Sequence, residues 1–126
     1  HDAISAVIQK DNKILMMDHI KYNFWTIPIG KVEKNQTIEQ GLKQELKEEI
    51  NIIPIKFEKI TTFKKSYMRE GKKVTITNHM FKVESWRGNV RNNEPKKHRK
   101  IEFLTLDEIK KIRNLSDSTK EMLKII

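Results

Sequence analysis

Residues 37–54, TIEQGLKQELKEEINIIP, constrain the chain more than any other segment. Ile38, Leu42, Leu46 and Ile50 recur every four positions, and at about 100° per residue they form one apolar stripe on a helix. Thr37 is a good N-cap residue and Pro54 follows the stripe, so the spacing predicts a helix over 38–50. Glu49 projects inside that stripe, between Ile38 and Leu42. Glu45 lies at its edge one turn below, and Glu48 further round the same side. At least one carboxylate therefore points toward the protein body. Negative charge near a helix C-terminus opposes the macrodipole by about 0.3–1 kcal/mol per group. Repulsion between Glu45 and Glu49 at the i,i+4 spacing adds to it, and burial without a partner costs several kcal/mol more. Two remedies suit the helix taken alone. Lys43 and Lys47 could screen a solvated face, or a divalent cation could sit among hard oxygen ligands, an arrangement suited to Mg²⁺ or Mn²⁺.

Apolar, β-branched segments flank the helix. Residues 3–9 and 14–18 predict a hairpin, 19–30 a loop punctuated by Pro28 and Gly30, and 55–67 with 73–85 a longer hairpin turning at 69–73. A polar, basic loop spans 87–100, a strand 101–106, and two short helices 107–115 and 116–126. One helix between strands, with helices at the end, is a mixed-sheet α/β pattern. At 126 residues the expectation is a single domain over 1–126.

Charge limits the partners. Lys and Arg total 26 against 17 acids, a net charge of +9, which favours anionic ligands such as phosphorylated metabolites or nucleic acid. A Lys-, Asn- and Ile-heavy base bias in the coding sequence would give the same balance. Cysteine is absent, which excludes disulfides and thiolate metal sites. No window has the apolar length of a membrane span and no signal-peptide pattern opens the chain, so a cytoplasmic protein without membrane partners is expected.

The segment before the helix narrows the choice. FWTIPIGKVEKNQ followed by LKQELKEEINI resembles the signature of the Nudix (MutT-like) hydrolases: a Gly, five residues, a Glu, seven residues, then Arg-Glu-apolar-any-Glu-Glu-any-Gly-apolar. Gly30, Glu45, Leu46, Glu48, Glu49 and Ile52 match without gaps. Gln36 replaces the first Glu, Gln44 the Arg and Asn51 the second Gly, and Ile29 stands where the family usually has the first glycine of Pro-Gly-Gly. Asn tolerates the left-handed conformation at a helix C′ position. The two glutamines can hydrogen-bond but carry no charge. HMFKVESWRG and IEFLTLDEI resemble the family's later central strand and its strand-to-helix ending, so the likeness covers most of the chain.

The resemblance implies an α/β/α sandwich with a mixed central sheet, and hydrolysis of the pyrophosphate in a nucleoside diphosphate linked to another moiety. Carried over, Glu45, Glu48 and Glu49 with the backbone carbonyl of Ile29 hold Mg²⁺ or Mn²⁺, and Glu48 or Glu94 is the general base. Lys97 and Arg99, with Lys96 and Lys100, form a cationic lip for polyphosphate. Trp25 and Trp86, and also Tyr67 and Phe81, are candidates for stacking on a base. His79 suits a strand wall and His98 a solvated loop. The partner expected is a nucleotide or other polyphosphate, with an RNA 5′ end as a further ligand, and a monomer or homodimer is expected. The sequence also admits a weak or inactive Nudix-fold nucleotide-binding module, or an RNA-binding or RNA 5′-end-processing protein. The retained glutamates weigh against both, because without metal they repel phosphate.

Overall fold

The computed structural model describes residues His1–Ile126. In chain order the elements are β1 (Asp2–Lys10), β2 (Lys13–His19), β3 (Phe24–Thr26), β4 (Ile29–Lys31), α1 (Ile38–Ile50), β5 (Ile53–Arg69), β6 (Lys72–Arg87), β7 (His98–Thr105), α2 (Leu106–Lys110) and α3 (Asp117–Ile125). The strands form one seven-stranded mixed sheet whose main path runs β3-β2-β1-β6-β5, with β4 also paired to β1 and β7 to β2.

Both faces of the sheet are covered, which explains why β1 and β2 are apolar nearly throughout. On β1, Ile4, Ala6 and Ile8 join Leu15 and Met17 of β2 in a core under Leu42, Leu46 and Ile50 of α1. The alternate residues Val7, Ile14 and Met16 turn to the other face and meet Ile109 of α2 and Met122 of α3. Strand alternation thus sends two sets of side chains from the same strands into two cores, giving the expected α/β/α sandwich. None of the helices is long and apolar enough to cross a membrane.

The pairing of β1 shapes the site. One edge runs parallel to β6 from Asp2 to Ile8. The other edge is divided: Ala3–Ser5 pair with β4, whereas Gln9 and Lys10 pair with β2. β1 and β2 therefore fork apart, and β4 fills the fork.

Three expectations change. The helix expected over 107–115 spans only Leu106–Lys110, and two further differences concern the strands. Residues 19–30 are not all loop, because β3 pairs with β2 through Met17–Thr26 to His19–Phe24, and β4 follows after Pro28. The second difference is in the basic loop, whose end belongs to β7: His98 pairs with His19 across the sheet and is 2% exposed rather than solvated. The long hairpin turns where expected, through Glu70 at φ 51° and Gly71 at φ 75°.

Candidate active site

Helix α1 begins with a capping box: the Thr37 hydroxyl accepts from the Gln40 N–H, and the Gln40 side chain accepts from the Thr37 N–H. It ends on Asn51 in the left-handed conformation, φ 65°, as its place in the motif predicts. The last turn still has carbonyls to satisfy. The basic loop supplies the donors: Arg91 N–H to the Ile50 carbonyl at 3.1 Å, Asn93 N–H to the Glu49 carbonyl at 3.0 Å, and Asn93 Nδ2 to the Lys47 carbonyl at 3.3 Å. The loop is thus strapped over the helix end, and Glu94 is set beside the acidic turn.

The three helix glutamates have different surroundings. Glu49 is 6% exposed, Glu45 is half-buried and Glu48 is exposed. None of them forms an ion pair with a Lys or Arg. Lys43 instead lies 5.7 Å over the Phe57 ring, so lysine screening does not neutralise the cluster. Burial, then the charge of Glu45 and its hydrogen bond, push the Glu49 carboxyl up to about 9. Burial also raises Glu45, and the charges of Glu48 and Glu94 add to that rise. Lys97 is the nearby cation that opposes both shifts, while Glu94 raises both.

Gly30 lies under Glu45: a Cβ there would fall within 2.6 Å of Glu45 Oε2 and closer still to Cγ and Cδ. Any side chain would displace the carboxylate. The β4 ladder also leaves an oxygen free. Its bonds run from Ala6 N–H to the Pro28 carbonyl and from Val32 N–H to the Asp2 carbonyl, each 3.0 Å, so by alternation the Ile29 carbonyl points away from β1. A buried carboxylate without a cationic partner, a second against it and an unpaired carbonyl nearby fit a hard divalent cation. No three His, Asp or Glu side chains are grouped so as to hold a metal ion among themselves, and Mg²⁺ in particular completes its shell with water and substrate phosphates.

Glu48 does not line the cleft with this pair. Gln44 Nε2 donates to Glu48 Oε1 at 2.8 Å, Gln36 Nε2 donates to Gln44 Oε1, and the Glu33 N–H donates to Gln36 Oε1 at 3.0 Å. The direction of this relay is fixed at both ends. A carboxylate can only accept and a backbone N–H can only donate, so each amide has one workable orientation. The two box departures are therefore in contact with each other, and together they orient Glu48.

The acidic pair opens onto a cleft of about 840 Å³. Ile29, Gly30, Glu45, Glu49 and Lys97 line it, but Trp25, Trp86, Arg99 and Glu48 do not. Trp25 packs on the core under α2 and α3, and Trp86 on the core under α1, where Phe81 is also buried. Arg99 is tied to Asp18 at 3.1 Å, and Lys97 to Glu94 at 2.9 Å, so the lip is partly self-neutralised. His79 bridges Asp2 and Lys59 and does not line the cleft. His19, Lys21, Tyr22, Arg69 and Asn78 also line the cleft. They come from separate segments with no shared motif, and the fork of β1 and β2 together with the pairing of β1 with β6 brings them together.

This geometry agrees with comparisons to known proteins. A family model described as the NUDIX domain matches residues 1–124, and the chain belongs to the Nudix family, whose hydrolases use divalent metal ions. It is 38% identical over 55 residues to an ADP-ribose pyrophosphatase from Methanocaldococcus jannaschii, a match covering 41% of this chain and 32% of that protein. It is 28% identical over 95 residues to an 8-oxo-dGTP diphosphatase from Buchnera aphidicola subsp. Schizaphis graminum, covering 72% of this chain and 68% of that one. The crystal structure of a MutT NUDIX hydrolase from Burkholderia pseudomallei superposes with a TM-score of 0.86 at 20% identity, covering 99% and 96% of the two chains. The chain thus spans about a third of the first relative's length and about two thirds of the second's.

Proposed function

We propose that residues 1–126 form one catalytic domain, a divalent-metal-dependent pyrophosphohydrolase acting on a nucleoside diphosphate linked to another moiety. The observation that carries this is the state of Glu49: buried, pressed against Glu45 and unpaired with any cation, at the floor of a cleft rimmed by lysines. Glu45, Glu49 and the Ile29 carbonyl would hold Mg²⁺ or Mn²⁺. When bound, the ion neutralises phosphate charge and makes a bound water more acidic. Glu94, outside the cleft lining but close enough for its charge to raise both members of the pair, serves as general base, steadied by Lys97 at 2.9 Å. Glu48, aligned by the glutamine relay, completes the acidic ring from outside the cleft. Lys21, Lys31 and Lys96 attract the polyphosphate and hold it along the floor.

The reaction breaks one P–O–P bridge. The water oxygen bonds to one phosphorus, the bridging oxygen leaves with the other phosphate, and the water's proton passes to Glu94. The test is release of phosphorylated products from a nucleotide panel with and without Mg²⁺ or Mn²⁺. Metal-dependent turnover that Glu49→Gln abolishes supports the assignment. Nucleotide binding without turnover under every metal condition defeats it.

A further inference from the structure

The positive charge of the chain is unevenly spread. The β5–β6 hairpin, Ile53–Arg87, holds nine Lys and Arg against three Glu, so little more than a quarter of the sequence carries +6 of the net +9. A coding-sequence bias toward lysine would distribute the excess evenly. The sheet shows where this charge is presented. β1 accompanies β6 only as far as Asp2 opposite Thr77, whereas β5 and β6 stay paired to Arg69 opposite Lys72. The end of the hairpin is therefore a two-stranded ribbon reaching past β1, and every residue from Lys64 to Lys73 is exposed.

From Thr62 to Arg69 the register is unbroken, so alternation gives the ribbon two faces. One is committed to the body: Tyr67, Val74 and Ile76 line the cleft, and Asp117 of α3 accepts from the Tyr67 hydroxyl at 3.1 Å and pairs with Lys65 at 3.6 Å. The other face carries Lys64, Ser66 and Met68 of β5 beside Thr77, Thr75 and Lys73 of β6. None of these six lines the cleft or forms an ion pair. Arg69 and Lys72 add charge at the turn, where Glu70 is the one acid. Lysines interspersed with hydroxyls suit phosphate oxygens, and Met68 alone is too little apolar surface to enter a lipid layer. Strands about 4.8 Å apart fit the major groove of B-form DNA, about 12 Å wide, which admits a two-stranded ribbon. The major groove of A-form RNA is too narrow for side chains to enter.

We propose that the Lys64–Lys73 ribbon is a docking element for duplex DNA, set in the major groove and held by its phosphates without reading sequence. Such binding needs neither metal nor nucleotide turnover. The test is fluorescence anisotropy of a labelled mixed-sequence DNA duplex of about 20 base pairs, titrated with the whole chain in EDTA at several salt concentrations. Four phosphate contacts, from Lys64, Arg69, Lys72 and Lys73, should give a log–log salt slope of about −3.6 and a loss of affinity of about 10²-fold from 50 to 200 mM salt. Lys64→Gln with Lys73→Gln should weaken binding at least about tenfold and reduce the slope by about two, with circular dichroism and nucleotide hydrolysis unchanged. Lys10→Gln with Lys13→Gln removes the same charge at the opposite end of β1 and should alter affinity by less than about twofold. No salt-dependent binding at low salt overturns the proposal. So do equal losses in the two double variants, which would mark a response to net charge, and equal affinity for an RNA duplex or for polyglutamate, the latter pointing to an acidic protein partner.

Discussion

Glu108 and Glu49 are the same side chain at opposite ends of two helices, and their environments treat it in opposite ways. Glu108 is the third residue of α2 and closes a capping box, accepting from the Thr105 N–H and hydroxyl at 3.0 Å each. Those bonds, backbone first, lower its carboxyl below the ordinary value, and the helix N-terminus favours the same charge. Glu49 is in the last turn of α1, buried against another acid, and its carboxyl rises to about 9. An acid that satisfies a helix end contributes to folding. One that opposes both dipole and burial costs stability in the chain alone.

The comparison breaks most visibly at Glu49. Glu49→Gln should cut kcat by about 10³-fold, the several kcal/mol expected when a group binding a catalytic cation is lost, while the melting temperature in EDTA stays level or rises. Steady-state kinetics and melting curves on one sample would show the opposing signs. Gly30→Ala should come next: its Cβ must push Glu45 aside, lowering kcat by about 10²-fold, with a circular-dichroism spectrum like that of the original.

The glutamine relay sharpens the comparison further. Gln44→Leu should reduce kcat about tenfold by releasing Glu48. Gln36→Glu alone sets two acceptors face to face and should also lose activity. Gln36→Glu combined with Gln44→Arg rebuilds a donor–acceptor chain and should return to within about twofold of the start. Additive losses in that double-mutant cycle would dismiss the relay.

Proton linkage gives a gentler test. Unfolded, Glu49 ionises at its ordinary value of 4.5, and folded it holds its proton to about 9. An acid raised in this way stabilises the metal-free fold fully below 4.5 and loses that contribution as pH climbs toward 9. His98, held neutral by burial with a pKa near 4 against an ordinary 6.5, acts only below that window. In EDTA the stability should therefore fall from about pH 7 to about pH 8.5, by up to about 1.4 kcal/mol per pH unit, and Mn²⁺ should recover more of it at the upper end. A flat urea-denaturation profile would show that Glu49 ionises freely. At the Glu108 end, Thr105→Ala removes the cap and should cost about 1 kcal/mol, read as a shift of several degrees in melting temperature with kcat unchanged.

The legible parts of this chain were those whose cause is local. Thr37, the four-residue apolar repeat and Asn51 specify α1 within their own segment, and Glu49 was placed facing inward from angular position alone. The strands β3 and β4, three residues each, are too short for alternation to register, and Pro28 between them reads as loop. The basic loop looked patternless because its periodicity is not its own: Arg91, Asn92 and Asn93 answer carbonyls of α1 and β7. Trp25 and Trp86 suggested ligand stacking, but burying their large apolar area in the cores prevails. Tyr22 and His19 carried no signal, since a cleft assembled from distant segments is a product of topology.

The divided edge of β1 has a consequence for how such enzymes diversify. The floor of the cavity is secured by main-chain pairing, which is indifferent to side-chain identity, whereas its walls are a short turn at 20–23 and the far end of a hairpin. Ligand preference can drift in those stretches while the chemistry is inherited unchanged. A laboratory library confined to them would redirect what is cut and leave the means of cutting alone.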